Sequence, residues 1–159
     1  SDRAWGDVGK VALARMAGSD HRITAFQKTS GLNKVDAALA RPLSPDLVEK
    51  SILAIGLPKG VREGTLNMNI KKSGRTTGLT HGRITQIDAT VKVSYGSAGS
   101  AILVDQFVAG NMSLGGDSGS AVLDEEGYVV GLLFAGSETT TIINRIQNVL
   151  DALKVTITV

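Results

Sequence analysis

The chain has no cysteine, which excludes a disulfide framework and any thiolate metal site, and its 2 histidines are too few for an ordinary zinc centre. The compartment is left open by that absence. Aromatic residues make up only 4% of the sequence, and no basic run is interleaved with them. The stacking and charge footprint of a nucleic-acid binder is therefore missing, and no nucleic-acid partner is expected. Neither sign of charge dominates, with 17 Lys plus Arg against 15 Asp plus Glu for a net charge of +2. No apolar stretch approaches the ~18 residues of a bilayer span, so no membrane span is expected. The N-terminus has no charged, apolar, small-residue order of a signal peptide, and it opens on Ser1-Asp2 rather than Met, which reads as a processed or truncated start.

What is present is a globular composition, 42% hydrophobic over 159 residues, punctuated by 19 glycines. The glycines separate short runs rich in Val, Ile and Thr, the pattern of many short strands and turns. Strands are expected at 52–57, 66–70, 82–88, 90–95, 101–107, 120–123 and 128–134, and their spacing favours an antiparallel barrel or sandwich over a βαβ sheet. Leu57-Pro58-Lys59-Gly60 and Asp124-Glu125-Glu126-Gly127 read as turns that end strands. Toward the C-terminus Ile142, Ile143, Ile146, Val149, Leu150 and Leu153 recur at helical spacing and predict an amphipathic helix of about three turns. Trp5, Val8, Val11, Ala12 and Met16 fit a helix, although Val11 and Leu13 also fit a strand. Arg41-Pro42-Leu43-Ser44-Pro45 reads as a linker, because two prolines so close stop both helix and strand. Lys71, Lys72 and Arg75, the densest basic cluster, read as the solvated end of a hairpin.

The segment richest in chemistry is Gly115-Gly116-Asp117-Ser118-Gly119-Ser120. A serine is a weak nucleophile unless a tight turn presents it beside backbone N–H groups that stabilise the developing oxyanion. Gly116 can take the backbone angles that aim its N–H and that of Ser118 at one point, Gly119 admits substrate closely, and Asp117 can anchor the turn from inside. An ordinary surface turn uses the same residue types. The motif is, however, followed at once by a strand, a turn at Gly127 and the run Val129-Val130-Gly131-Leu132-Leu133-Phe134-Ala135-Gly136-Ser137.

This combination resembles the chymotrypsin-like serine proteases, in which the nucleophile loop leads into a hairpin whose return strand lines the specificity pocket. Asn33-Lys34-Val35-Asp36-Ala37-Ala38-Leu39-Ala40 looks like the family segment that carries the triad aspartate, since an Asp inside an apolar run needs a partner such as a histidine. Lys72-Ser73-Gly74-Arg75-Thr76-Thr77-Gly78-Leu79-Thr80-His81-Gly82-Arg83-Ile84 is similar to the early second-barrel strands of bacterial trypsin-like peptidases. The resemblance covers about 35–153. It implies an all-β fold, a chymotrypsin-like antiparallel β-barrel with a C-terminal helix, divided into a first-barrel remnant plus connector at 1–45 and a complete second barrel with helix at 46–159. Under it, 8–16 becomes a first-barrel strand.

The same resemblance assigns Ser118 as nucleophile, Asp36 as the orienting carboxylate, and the N–H groups of Gly116 and Ser118 as the oxyanion hole. It places Met112, six residues before the nucleophile, at the pocket floor, with Phe134, Ala135 and Gly136 as the wall, which favours a small or apolar side chain. No metal or organic cofactor is implied, and the partners are a peptide or protein substrate and the chain's own N-terminal segment or a homo-oligomer that covers unpaired strand edges. The family's histidine precedes the aspartate in a Thr-Ala-Ala-His or Thr-Asn-His setting, and nothing before Asp36 reads that way. His21 lies in the polar loop Gly18-Ser19-Asp20-His21-Arg22, and His81 follows the aspartate as a turn residue. The expectation is a C-terminal portion of a longer serine endopeptidase whose histidine lies upstream, inactive by itself. The rival expectations are a protease-like binding or scaffold domain that has lost its base, and an esterase.

Overall fold

The computed structural model describes residues 32–40 and 42–157. The expected strand at 8–16 and His21 lie outside the described residues. Six strands form a closed antiparallel barrel in the order β1-β2-β3-β6-β5-β4, with β1 at Asn69–Gly74, β2 at Gly78–Ser94, β3 at Ser100–Gly110, β4 at Ala121–Asp124, β5 at Val129–Gly136 and β6 at Thr140–Arg145. Closure comes from β4 pairing back onto β1, from Ile70 opposite Asp124 to Lys72 opposite Val122. One helix, α1 at Ile146–Leu153, follows.

Side chains that alternate along each strand meet inside the barrel, where Ile70, Ile84, Phe107, Val122, Leu133 and Ile143 form the main core. A second apolar cluster lies outside the barrel wall, where Ile146, Val149 and Leu150 of α1 pack on Leu123 and Val129. Val35, Ala37, Ile52 and Ile55 join that cluster, so the segment leading up to β1 is stitched to the barrel through its apolar residues.

Three expectations are corrected. Residues 52–57 are a tight turn rather than a strand, with the N–H groups of Ile55 and Gly56 both bonded to the Ile52 carbonyl, and Pro58 therefore ends no strand. The expected strands at 82–88 and 90–95 are a single strand, β2, whose register slips between Ile84 and Val91 absorb Asp88 at φ 54°. The helix begins four residues later than its spacing suggests, because Ile142 and Ile143 belong to β6, sandwiched between β3 and β5. A strand buried on both faces reads as a continuous apolar run, which the helical pattern of α1 continued without a visible break.

The topology decides where the chemistry sits. β3 and β4 are not neighbours, so the chain between Gly110 and Ala121 must cross one end of the barrel. The β1–β2 hairpin at 74–78 and the β5–β6 hairpin at 136–140 close that same end.

Candidate active site

The crossing segment is the glycine-framed serine loop, and its anchor is Asp117. This side chain is fully buried and its carboxylate collects five donors. Oδ1 accepts the N–H groups of Thr76 (2.8 Å) and Thr77 (3.1 Å). Oδ2 accepts the Thr77 hydroxyl (2.7 Å) and the Leu114 N–H (3.0 Å), and faces the Lys72 ammonium at 3.3 Å. Burial alone would push the carboxyl up, but the bonds from the Thr77 hydroxyl and from the N–H groups of Leu114, Thr76 and Thr77 outweigh it and hold the group well below the usual carboxylate range.

Lys72 overturns its reading as a solvated hairpin end, because both it and Asp117 have no exposed side-chain surface. The hint was in the period of β1: Ile70 and Lys72 are two apart and share the inward face. Its ammonium also donates to the Thr77 hydroxyl and, at 3.1 Å, to the Gly78 carbonyl. Gly74 is required here, since a Cβ would stand 2.7 Å from the Asp117 carboxyl carbon.

Above this anchor Ser118 is exposed, between Gly116 at φ 102° and Gly119 at φ 92°, angles that a side chain would strain. The turn is closed by Asp117 N–H to Leu114 O and Ser120 N–H to Asp117 O, each at 3.1 Å. Neither the Gly116 nor the Ser118 N–H is taken up by another described residue. The Ser118 hydroxyl donates to the Phe134 carbonyl at 3.2 Å.

Asp36 sits on the outer wall of the barrel beside β6. Val35 and Ala37 turn into the outer apolar cluster, while the Asp36 carboxylate accepts the Tyr95 hydroxyl at 2.6 Å. Its backbone is clamped on both sides by Asn144, which accepts the Asp36 N–H (3.1 Å) and donates to the Asp36 carbonyl (2.9 Å). Gln106 adds a bond to the Lys34 carbonyl at 2.8 Å. Burial raises the Asp36 carboxyl above its ordinary range, opposed by the Tyr95 bond, and burial together with that carboxylate raises the Tyr95 phenol. Asn144 pairs with Leu132 of β5, and two residues further along β5 is Phe134, the acceptor of the Ser118 hydroxyl. Adjacent strands β5 and β6 thus each supply a hydrogen-bond partner, Phe134 to Ser118 and Asn144 to Asp36.

Met112 is 3% exposed and packs in the main core, its sulfur 2.6 Å from where a Cβ of Gly82 would stand. Its N–H bonds the Thr141 hydroxyl and its carbonyl accepts the Thr80 hydroxyl at 2.7 Å. The neighbouring Ser113 hydroxyl lies 2.9 Å from that of Thr141 and 3.3 Å from a Cβ position on Gly136. Phe134 and Ala135 are half-buried and Gly136 is exposed; β4 pairs with β5 as far as Leu132, and Gly119 N–H to Leu133 O (2.7 Å) and Leu133 N–H to Ser120 O (3.0 Å) extend that pairing by one residue, so the edge beside Ser118 opens at Phe134. His81 is not in a turn: it lies on β2, exposed, with Nδ1 3.3 Å from a carboxylate oxygen of Glu125 at the far hairpin. Lys72, Thr76, Thr77, Tyr95, Gln106 and Asn144 escaped the sequence reading, because their partners lie 39 to 108 positions away, apart from Lys72's links within its own hairpin and Gln106's bond to Val104.

A family model for peptidase S46 matches residues 85–147, less than half of the chain. No curated protein matches it. Among solved structures the chain is similar to Cellulomonas bogoriensis chymotrypsin, at 21% identity and TM-score 0.55 over 65% of this chain and 56% of that one. It is similar to Nocardiopsis protease at 21% and 0.57, over 69% and 59%, and to Thermobifida fusca Protease A at 23% and 0.53, over 60% and 51%. The chain therefore spans between 51% and 59% of the length of these relatives. A six-stranded barrel, a crossing loop that presents a glycine-framed serine, and these neighbours together make the chain chymotrypsin-like in fold.

Proposed function

We propose that the protein hydrolyses peptide bonds through an acyl-enzyme formed on Ser118. The observation that carries this reading is the loop itself, an exposed serine on a turn held by the buried Asp117 anchor, with two N–H groups that no other described residue engages. Ser118 Oγ attacks the scissile carbonyl and forms the C–O bond, while the carbonyl π electrons move onto oxygen. The N–H groups of Gly116 and Ser118 receive that oxyanion, which is worth ~10²–10³ in rate per donor. The Ser118 proton passes to a histidine other than His81 and then to the leaving amine, with Asp36 holding the imidazole in the productive tautomer.

The extended substrate lies along the open edge of Phe134, Ala135 and Gly136. Its side chain enters a pocket walled by these residues with Met112 at the base, where the Met112 side chain joins the barrel core and its N–H is tied to Thr141 at the start of β6. The reading divides the chain into a first-barrel segment with connector at 1–45 and a second barrel at 46–159. Leu39 and Leu43, each more than half exposed, are the connector surface that further first-barrel mass would cover. Without the histidine the chain would retain only ~10³–10⁴-fold over water.

One observation favours the non-catalytic reading: the Ser118 hydroxyl is spent on the Phe134 carbonyl rather than on a base. A fluorophosphonate probe separates the two. Full-length protein labelled at Ser118, with labelling lost in Ser118→Ala, supports the enzyme; a full-length protein that is folded and unreactive supports a binding domain.

A further inference from the structure

We propose that Thr76, at the tip of the β1–β2 hairpin, is a positioning residue that latches the Gly115–Gly116 peptide in the orientation the oxyanion needs. This rests on the reading of Ser118 as nucleophile. The Thr76 hydroxyl donates to the Gly115 carbonyl at 2.9 Å. That peptide is trans, so its C=O and N–H point in opposite directions, and fixing the carbonyl toward Thr76 turns the Gly116 N–H to the other, open side of the loop.

Something must hold it there. The peptide lies between two glycines, and no Cβ on either side opposes its rotation. The same flexibility that lets Gly116 reach φ 102° would let the N–H swing out of the site. No other hydrogen bond to either end of this peptide comes from a described residue. The contact is close, because a Cβ on Gly116 would collide with the Thr76 hydroxyl.

The latch has its own foundation. The Thr76 N–H is bonded to Asp117 Oδ1 at 2.8 Å, and Thr77 grips both oxygens of the same carboxylate. Asp117 is the residue after Gly116, so the hairpin reads its position through the carboxylate and returns it through the hydroxyl to the peptide just upstream. Thr77 is bound into the buried anchor, whereas Thr76 is exposed and its hydroxyl contributes through one bond.

The test uses full-length protein carrying Thr76→Val, which keeps the shape and removes the donor, and Thr76→Ser, which restores the hydroxyl. Losing the latch is expected to lower kcat about 10- to 100-fold with KM unchanged, less than the ~10²–10³ of an outright lost donor because the N–H still visits the site. Affinity for a peptide boronic acid, whose tetrahedral adduct carries the oxyanion, should fall in step, and Thr76→Ser should recover to within about threefold of wild type. If Val is not accommodated, the pair Thr76→Ala and Thr76→Ser decides in the same way. Unchanged kcat in a folded variant lacking the hydroxyl overturns the latch. Wild type that is inert to substrate and fluorophosphonate defeats the catalytic reading instead, and a crystal structure of the valine variant then judges the latch alone: a turned Gly115 carbonyl supports it, and an unmoved one overturns it.

Discussion

Replacing Lys72 with Met keeps a long unbranched stem in the barrel and removes the ammonium from Asp117. Both side chains are wholly buried, 3.3 Å apart. Removing one member of such a pair generally costs about 3–5 kcal/mol, because the remaining charge has no counterion. Asp117 keeps four of its five donors, which places the loss toward the lower end, about 3 kcal/mol at pH 7. A loss of about 3 kcal/mol moves the urea midpoint of the 159-residue chain down by roughly 2 M, taking a slope near 1.5 kcal/mol per M. The dependence on pH is the sharper arm. The Asp117 carboxyl is held well below its ordinary range in the folded state, so its stabilisation is complete above about pH 4 and is lost as pH falls toward its folded value. In acid the protonated Asp117 no longer needs a cation, and wild type is left with an unpaired buried ammonium. The gap between wild type and Lys72→Met should therefore hold from pH 7 to about pH 4 and narrow only as pH falls below that toward the folded value of Asp117. Adding Asp117→Asn to Lys72→Met should cost less than the sum of the two single changes. A gap below about 1 kcal/mol at pH 7, or one that widens as pH falls below about 4, would refute the claim that this pair anchors the serine loop.

Tyr95→Phe removes the donor to Asp36 and should cost about 1 kcal/mol at pH 7, at the low end for a charged acceptor because the phenol is only half-buried. Asp36 already titrates above its ordinary range, so the variant should move it higher still, and the difference should fade below about pH 4, where both states carry the proton; carbon-detected NMR of the carboxyl follows both effects. Gly131→Ala would set a Cβ 2.6 Å from the Asn144 backbone carbonyl, which cannot yield as a side chain tip would. About 1–3 kcal/mol should be lost in urea unfolding, and no change there would mean the β5–β6 spacing is looser than described.

Much of the architecture was legible because it rests on local rules. Glycine-punctuated apolar runs located five of the six described strands, β1 only at its first two residues, and Gly127 marked the β4–β5 hairpin. The boundary between β6 and α1 was not legible, because Ile142 and Ile143 owe their strand state to β3 and β5 on either side rather than to their own spacing. At the site, Ser118, Gly116 and Asp117 could be read from their order, since a turn that presents a hydroxyl is made by neighbours in sequence. Lys72 was misread because charge predicts exposure unless a partner is in view, and that partner lies across the barrel end.

The sequence by itself determined a β-rich chain and a serine framed by glycines with an aspartate beneath it, because backbone freedom at Gly116 and Gly119 is a property of single residues. Only the tertiary structure decided what holds that serine in place. Barrel closure carries the β1–β2 hairpin under the loop, so that Lys72, Thr76 and Thr77 meet Asp117 and Gly115. It likewise brings Asn144 and Tyr95 to Asp36. These contacts join residues far apart in the chain, and the free energy that makes them comes from closing the apolar core rather than from any motif.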